Sequence, residues 1–212
     1  MLSIYIHIPF CLKKCKYCDF LSFPANEALR NSYLNALCRE IASCRYTTDE
    51  VGSVYLGGGT PSLLTSADIA KILDKIKTRF NLSRNCEISM ECNPATADYE
   101  KLLGFRRAGI NRLSIGLQSA NDDELILLGR VHNYSHFLET YTSARKAGFD
   151  NINVDLISAI PGQTILSYKE TLTKIVNLGP EHISAYSLII EENTEFWDIY
   201  SDDNSVVCWL GR

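Results

Sequence analysis

The residues most able to do chemistry are three cysteines near the start of the chain. Cys11, Cys15 and Cys18 are spaced C-x3-C-x2-C and follow the strand-like apolar segment 4–10. A structural zinc site takes four protein ligands, and no fourth Cys or His lies at a matching short spacing. A four-iron cluster held by only three cysteines leaves one iron open to a small molecule. The spacing therefore favours an iron–sulfur site with a vacant coordination position.

Composition narrows the class of protein. The chain has 212 residues, of which 46% are hydrophobic and 22% charged, as is usual for a globular protein. A net charge of −4 gives no general attraction to nucleic acid or anionic membranes. The longest apolar runs are too short to span a bilayer, and the N-terminus lacks the pattern of an export signal. We expect a cytoplasmic protein with no membrane span and no nucleic-acid partner.

Eight cysteines would indicate a disulfide framework in a small secreted domain. In a longer chain without an export signal, reduced thiols and a metal site are the better interpretation. Cys38 shares a helical face with apolar residues and is predicted to be buried. A zinc-bound structural domain, with Cys38, Cys44 or His7 as the fourth ligand, is the alternative from a different class.

Apolar periodicity predicts strands that alternate with helices. Strands are predicted at 4–10, 51–56, 86–91, 112–118, 151–157 and 182–190, and helices at 27–45, 66–80, 97–108, 122–128, 135–147 and around 168–176. Ser66 is the predicted N-cap of the second helix. The alternation indicates one parallel α/β domain over residues 1–200, followed by an irregular tail at 201–212.

Polar residues distinguish a barrel from a doubly wound sheet. Thr60, Glu91, Gln118 and Asp155 each lie near the carboxyl end of a successive predicted strand, where parallel barrels assemble their sites. Six strands are too few for the common eight-fold closure. The predicted fold is a partial, open (β/α)6 TIM-like barrel.

Eight short motifs, in this order, resemble those of radical S-adenosylmethionine (SAM) proteins in the oxygen-independent coproporphyrinogen III oxidase-like family. They are Tyr5-x-His7-x-Pro9-Phe10-Cys11-x3-Cys15-x2-Cys18, Gly57-Gly-Gly-Thr-Pro61, Glu91-Cys-Asn-Pro94, Arg112-Leu-Ser-Ile-Gly-x-Gln118, Leu128-Gly-Arg130-x-His132, Asn153-x-Asp155-Leu-Ile, Pro161-Gly-Gln-Thr164 and His182-Ile-Ser-x-Tyr186. The family's oxidase has a fourth cysteine where this chain has Phe20. That departure resembles the haem chaperone (HemW-type) branch. The family's further C-terminal domain is absent from these 212 residues.

The resemblance implies that Cys11, Cys15 and Cys18 bind a [4Fe-4S] cluster whose fourth iron takes the amino and carboxylate groups of SAM. An electron from the cluster then splits the sulfonium C–S bond and yields methionine and a 5′-deoxyadenosyl radical. The residues implied as SAM contacts are Tyr5, Gly58, Gly59, Thr60, Glu91, Gln118, Arg130 and Asp155. The glycines are expected to leave a bare backbone edge for the ligand.

Further expectations concern charges and partners. Lys13, Lys14 and Lys16 lie among the cysteines, where their charge would lower the pKa values of the thiols. The alternative is that they are solvated loop residues without that role. His132, His136 and His182 are interpreted as structural. The chaperone branch implies haem as a further ligand, haem-accepting proteins as partners, and an electron donor such as flavodoxin or ferredoxin. An active oxidase and an inert fragment are the alternatives.

Overall fold

The structure is a computed structural model that describes residues 1–45 and 49–201. Its centre is a six-stranded sheet in the order β1-β2-β3-β4-β5-β6. The strands are β1 (Leu2–Ile8), β2 (Glu50–Gly58), β3 (Asn81–Cys92), β4 (Arg112–Gln118), β5 (Ile152–Ser158) and β6 (His182–Ser187). All neighbouring strands are parallel. In the described part of the chain, β1 and β6 form the two edges, so the sheet is open.

Helices follow the strands in alternation. They are α1 (Glu27–Ser43), α2 (Ser66–Arg79), α3 (Tyr99–Ala108), α4 (Asp122–Leu127), α5 (Tyr134–Lys146), α6 (Ile165–Leu178) and α7 (Glu195–Tyr200). The prediction of a partial, open (β/α)6 barrel is therefore confirmed. The short helix α7 was not predicted.

The core lies between the sheet and its helices. In α2, the residues at spacing i, i+3, i+4 and i+7, Ile69, Ile72, Leu73 and Ile76, are fully buried, as their period of 3.6 predicts. Burying one such side chain stabilises the fold by roughly 1.5–3 kcal/mol. Strand β4 buries Leu113, Ile115 and Leu117 completely. These contacts fix the strands whose carboxyl ends carry polar residues.

Two predicted boundaries are wrong for physical reasons. The N-cap of α2 is Thr65 and not Ser66, because Thr65 and Asp68 form a reciprocal capping box. Strand β6 ends at Ser187, and the apolar residues beyond it leave the edge of the sheet. Leu188 and Ile190 pack with Phe196 of α7 in a second hydrophobic cluster.

Strand β3 begins at Asn81, five residues before its predicted start at Cys86. Its first residues are mostly polar and lack the alternation that predicts a strand. They pair at the amino end of β2, where Glu50 lies opposite Asn81. The predicted tail at 201–212 lies outside the described residues, apart from Ser201.

Candidate functional site

A cavity of about 290 Å³ lies between the cysteine loop and the strands. All of the residues predicted for the site except Tyr5 line it, namely Cys11, Cys15, Cys18, Gly58, Gly59, Thr60, Glu91, Gln118, Arg130 and Asp155. Residues that are far apart in sequence meet there because parallel strands end at one edge of the sheet.

Backbone hydrogen bonds fix the cysteine loop. The Cys11 N–H donates to the Phe23 carbonyl over 3.1 Å, which closes the loop at its base. In the middle of the loop, the Lys16 N–H donates to the Leu128 carbonyl (3.1 Å), and the Lys16 carbonyl accepts from the Phe196 N–H (2.9 Å). The loop is thus held on one side by the segment after α4 and on the other by α7.

Two cysteine sulfurs have polar neighbours from the strands and loops across the cavity. Thr60 Oγ1 donates to Cys11 Sγ over 3.4 Å, and Arg130 Nη1 donates to Cys15 Sγ over 3.6 Å. Donors of this kind stabilise a thiolate more than a thiol.

The charge of Lys14 lowers the pKa of Cys18, as expected, but other effects outweigh it. Burial raises the pKa of the Cys18 thiol, and the proximity of Cys15 and Cys11 adds to that rise. A hydrogen bond from the Phe20 backbone opposes the rise, and the charge of Lys14 opposes it more weakly. Lys16 points elsewhere, since its Nζ lies 3.0 Å from Glu195 Oε1 of α7. Nearness in sequence did not reveal that ion pair.

Arg130 carries an unpaired polar atom beside the cavity. Its Nη2 donates to Asn93 Oδ1 (2.9 Å) and to the Gly116 carbonyl (2.8 Å). Its Nε is buried and has no hydrogen-bond partner among the described residues. A buried donor without a partner costs about 1–3 kcal/mol, so this atom would be satisfied by an acceptor on a ligand.

Glu91 is held by two donors. Its Oε1 accepts from the Tyr55 hydroxyl (3.0 Å) and its Oε2 from the Gly58 N–H (3.1 Å). Burial raises the pKa of Glu91 to about 7, although both hydrogen bonds oppose the rise. The carboxyl group therefore changes its charge near neutral pH.

The glycines at the carboxyl end of β2 serve the packing of the protein itself. A Cβ on Gly58, which has φ +113°, would lie 2.6 Å from the His7 ring, and one on Gly59 would lie 2.7 Å from the Phe10 carbonyl oxygen. The expected bare edge is thus covered in part by β1 and the segment that follows it. Backbone atoms of Gly58 and Gly59 still reach the cavity.

Asp155 lies deeper than its predicted position near the strand end, because three residues of β5 follow it. Its carboxylate accepts from Ser114 Oγ (2.9 Å) and Asn153 Nδ2 (2.7 Å). Burial raises the pKa of Asp155, and these hydrogen bonds moderate the rise.

Gln118 and Tyr186 form a pair across the cavity. The Tyr186 hydroxyl donates to Gln118 Oε1 over 3.1 Å, and both residues line the cavity. Gln118 has φ +76°, which is rare for a residue other than glycine. Tyr186 received no role from the sequence, although it ends the last of the recurring motifs.

Tyr5 is 57% exposed and is not among the lining residues. Its hydroxyl donates to His7 Nδ1 (3.1 Å), and its ring stacks on Tyr55 with centroids 6.2 Å apart. His7 Nε2 donates to the Leu21 carbonyl over 2.8 Å. His7 therefore ties β1 to the end of the cysteine loop and is not free to bind metal.

The zinc alternative finds no support in the part of the chain that the structure describes. No three His, Cys, Asp or Glu side chains in residues 1–45 and 49–201 are grouped so that they could hold one metal ion. Cys38 is buried among apolar residues of α1. The finding on grouped side chains concerns a site for a single metal ion. In a [4Fe-4S] cluster each cysteine binds a different iron, so the three sulfurs need not surround one point.

Comparison with known families gives the identity of the fold. The sequence profile described as "Radical SAM superfamily" matches residues 5–175, which is most of the chain. The chain belongs to the radical SAM superfamily. Its solved relatives include coproporphyrinogen III oxidase (HemN) from Escherichia coli, which superposes with a TM-score of 0.80 at 32% identity over 88% of this chain and 44% of that one.

This radical SAM chain is also similar to curated haem chaperones. "Heme chaperone HemW" of Haemophilus influenzae is 36% identical over 99% of this chain and 60% of its own length. The protein of the same name from Bacillus subtilis is 38% identical over 94% of this chain and 53% of its own. The chain thus spans little more than half the length of these relatives. None of its described helices is both long and apolar enough to cross a bilayer.

Proposed function

We propose that the chain is the radical SAM domain, over residues 1–200, of a haem chaperone. In this proposal Cys11, Cys15 and Cys18 bind a [4Fe-4S] cluster, and the cavity beside them binds SAM. The observation that carries the proposal is the convergence of three thiols and the polar groups of five strands on a single cavity. The match to the superfamily supports it.

The residues present fit both groups. The three cysteines share one fixed loop, and Thr60 and Arg130 donate to two of their sulfurs. The unpaired Nε of Arg130 would donate to the carboxylate of SAM.

The cavity also offers groups for the rest of SAM. Glu91 and Asp155 provide carboxylates for its ribose hydroxyls or its ammonium group, and the side chain of Gln118 would hydrogen-bond the ribose or the carboxylate. The backbone of Gly58 and Gly59 and the hydroxyl of Thr60 complete the contacts. Tyr5 would support the site through its stack on Tyr55, since it does not line the cavity itself.

When bound, the cluster supplies the electron that splits the C–S bond of SAM. The chain's own task is to bind and orient SAM against the open iron and to exclude water. Partial burial raises the pKa values of the Cys18 thiol and the Glu91 carboxyl, which is consistent with a site that limits access of water.

The function of the whole protein is proposed from its relatives. Names such as "Heme chaperone HemW" favour haem as a further ligand and haem-accepting proteins as partners. The cluster would need a cytoplasmic electron donor, such as flavodoxin or ferredoxin. Phe20 stands where the family's oxidase has a cysteine. We therefore propose the haem chaperone as the first candidate function and coproporphyrinogen oxidation as the second.

Anaerobic reconstitution with iron and sulfide tests the proposal. We expect about four irons per chain and an electron paramagnetic resonance signal that changes when SAM is added. The C15A variant should lose the cluster, and the control C38A should keep it, because Cys38 is buried in α1. Full labile iron in C15A, or tight zinc without SAM binding, would refute the site.

A second experiment separates the chaperone from the oxidase. Reconstituted protein is mixed with haem and followed by absorbance, and in parallel with coproporphyrinogen under reducing conditions. Haem binding without release of CO2 is expected. Release of CO2 that depends on SAM would favour the oxidase, whose structure is also similar.

A further inference from the structure

Glu124 in α4 is a buried carboxylate outside the cavity. It is only 7% exposed, and three side chains donate to it. Ser119 Oγ donates to its Oε2 over 2.6 Å and Gln163 Nε2 donates to the same oxygen over 2.9 Å. Ser167 Oγ of α6 donates to its Oε1. A buried carboxylate with every donor in place is costly to disturb.

The same network holds the backbone that follows β4. Ser119 Oγ accepts from the Asn121 N–H (3.0 Å). From α6, Thr171 Oγ1 accepts from the Ala120 N–H (3.1 Å), and Lys174 Nζ donates to the Ala120 carbonyl (3.2 Å). Residues 119–121 are therefore fixed between α4 and α6.

The residue just before this segment is Gln118, which lines the cavity. Its φ of +76° puts its backbone in the left-handed region, which is strained for a residue with a Cβ. The pairing with β5 shifts register between Gly116 and Gln118. Such a conformation persists only where its surroundings fix it, and fully buried Ser119 is the next residue.

We propose that Glu124 is a positioning residue for the SAM site, which acts through Ser119 to hold Gln118 in the left-handed conformation that presents its side chain to the cavity. This inference rests on the proposed function, in which Gln118 contacts SAM. It also gives a role to Gln163 of the motif Pro161-Gly-Gln-Thr164, because Gln163 donates to the same carboxylate.

Three substitutions separate positioning from bulk stability. E124A leaves the Ser119, Gln163 and Ser167 donors without their acceptor. S119A removes the hydroxyl that connects Glu124 to the backbone after β4, with little change in volume. It tests the same connection if E124A folds poorly. E124Q should preserve SAM binding, because its carbonyl oxygen accepts from Ser119 and Gln163 while its amide donates to the Ser167 hydroxyl.

The first measurement is SAM affinity of cluster-loaded protein by anaerobic calorimetry. We expect E124A and S119A to weaken SAM binding about tenfold, which corresponds to about 1.4 kcal/mol, and E124Q to stay within about threefold of wild type. The matched control is E181A. The Glu181 carboxylate pairs with Arg145 and accepts from the N–H of Ile152, the first residue of β5, at the end of the strand away from the cavity. E181A should lower stability and leave SAM affinity unchanged.

A double-mutant cycle with Q118A is decisive, because residues that act through one another are not additive. E124A should add less than about twofold to the loss that Q118A causes. In protein without ligand, amide hydrogen exchange over residues 118–121 should quicken in E124A and S119A and not in E181A. Additive losses, or unchanged SAM affinity in E124A and S119A, would overturn the inference. Wild-type protein that holds a cluster but binds no SAM would instead overturn the proposed function beneath it.

Discussion

The charge of Glu91 gives a stability effect with a definite sign. Burial raises the pKa of Glu91 to about 7 in the folded protein without ligand, from an ordinary value of 4.5. Below pH 4.5 the Glu91 carboxyl is protonated in both the folded and the unfolded protein, so it does not lower the free energy of unfolding. Between pH 4.5 and pH 7 the cost of its charge grows, and above pH 7 it is complete. The pKa difference corresponds to roughly 3 kcal/mol as an upper value.

The E91Q variant removes this cost and keeps the geometry. A glutamine carbonyl oxygen accepts from the Gly58 N–H, and its amide donates to the Tyr55 hydroxyl oxygen, so both hydrogen bonds persist. We expect E91Q to equal wild type in the free energy of unfolding at about pH 4.5 and to exceed it by about 1–3 kcal/mol at pH 8. Urea unfolding of cluster-free protein across this pH range measures the difference.

A matched control lies on the same strand. Glu87 is exposed, so E87Q should change stability little and without a trend in pH. If the gain from E91Q were constant with pH, or if E91Q were less stable than wild type at pH 8, the burial argument for Glu91 would be wrong. SAM binding by E91Q should weaken, since the amide cannot accept through both of its positions.

Three further outcomes are expected. Replacing Gly58 (φ +113°) with alanine should cost about 2 kcal/mol or more in urea unfolding, because a Cβ would be strained there and would meet a neighbouring ring. Y186F removes the donor to Gln118 and should weaken SAM binding about three- to tenfold by calorimetry, with the melting temperature nearly unchanged. T65A should cost about 1 kcal/mol in thermal unfolding through loss of the α2 cap, while S66A should cost less; equal losses would contradict the assignment of Thr65 as the cap.

The local periodicity of apolar residues predicted most of the helices and strands of the fold. The pattern of α2 follows a period of 3.6, and each central strand contains several apolar residues close together, so both types of element could be predicted from the sequence. Their alternation then placed the carboxyl ends of the strands together, which is why Glu91 and Gln118 were predicted to lie at one edge of the sheet, where both line the cavity. Helix α7 has only six residues, and its role depends on contact with the cysteine loop, which no local pattern reports.

What the sequence missed is mostly long-range pairing. Lys16 pairs with Glu195, and Glu124 accepts from Gln163 and Ser167. These residues are far apart in the sequence and come together only in the folded chain. The charge of Lys14 was visible in the sequence, but the burial that outweighs it at Cys18 was not. Sequence proximity of charges is therefore a weaker guide to a thiol's pKa than its degree of burial.

The polar groups of the cavity are largely paired with one another before any ligand arrives. Glu91 is held by Tyr55 and Gly58, and Asp155 by neighbours on β4 and β5. A ligand would therefore meet side chains already fixed in place, and binding would spend little free energy on ordering them. Arg130 differs, because its Nε has no acceptor in the described part of the chain. A ligand acceptor that reached this donor would add a hydrogen bond, whereas contacts to the carboxylates would exchange one partner for another. We therefore expect an anionic group beside Arg130 to contribute more to affinity than a hydroxyl beside Glu91 or Asp155.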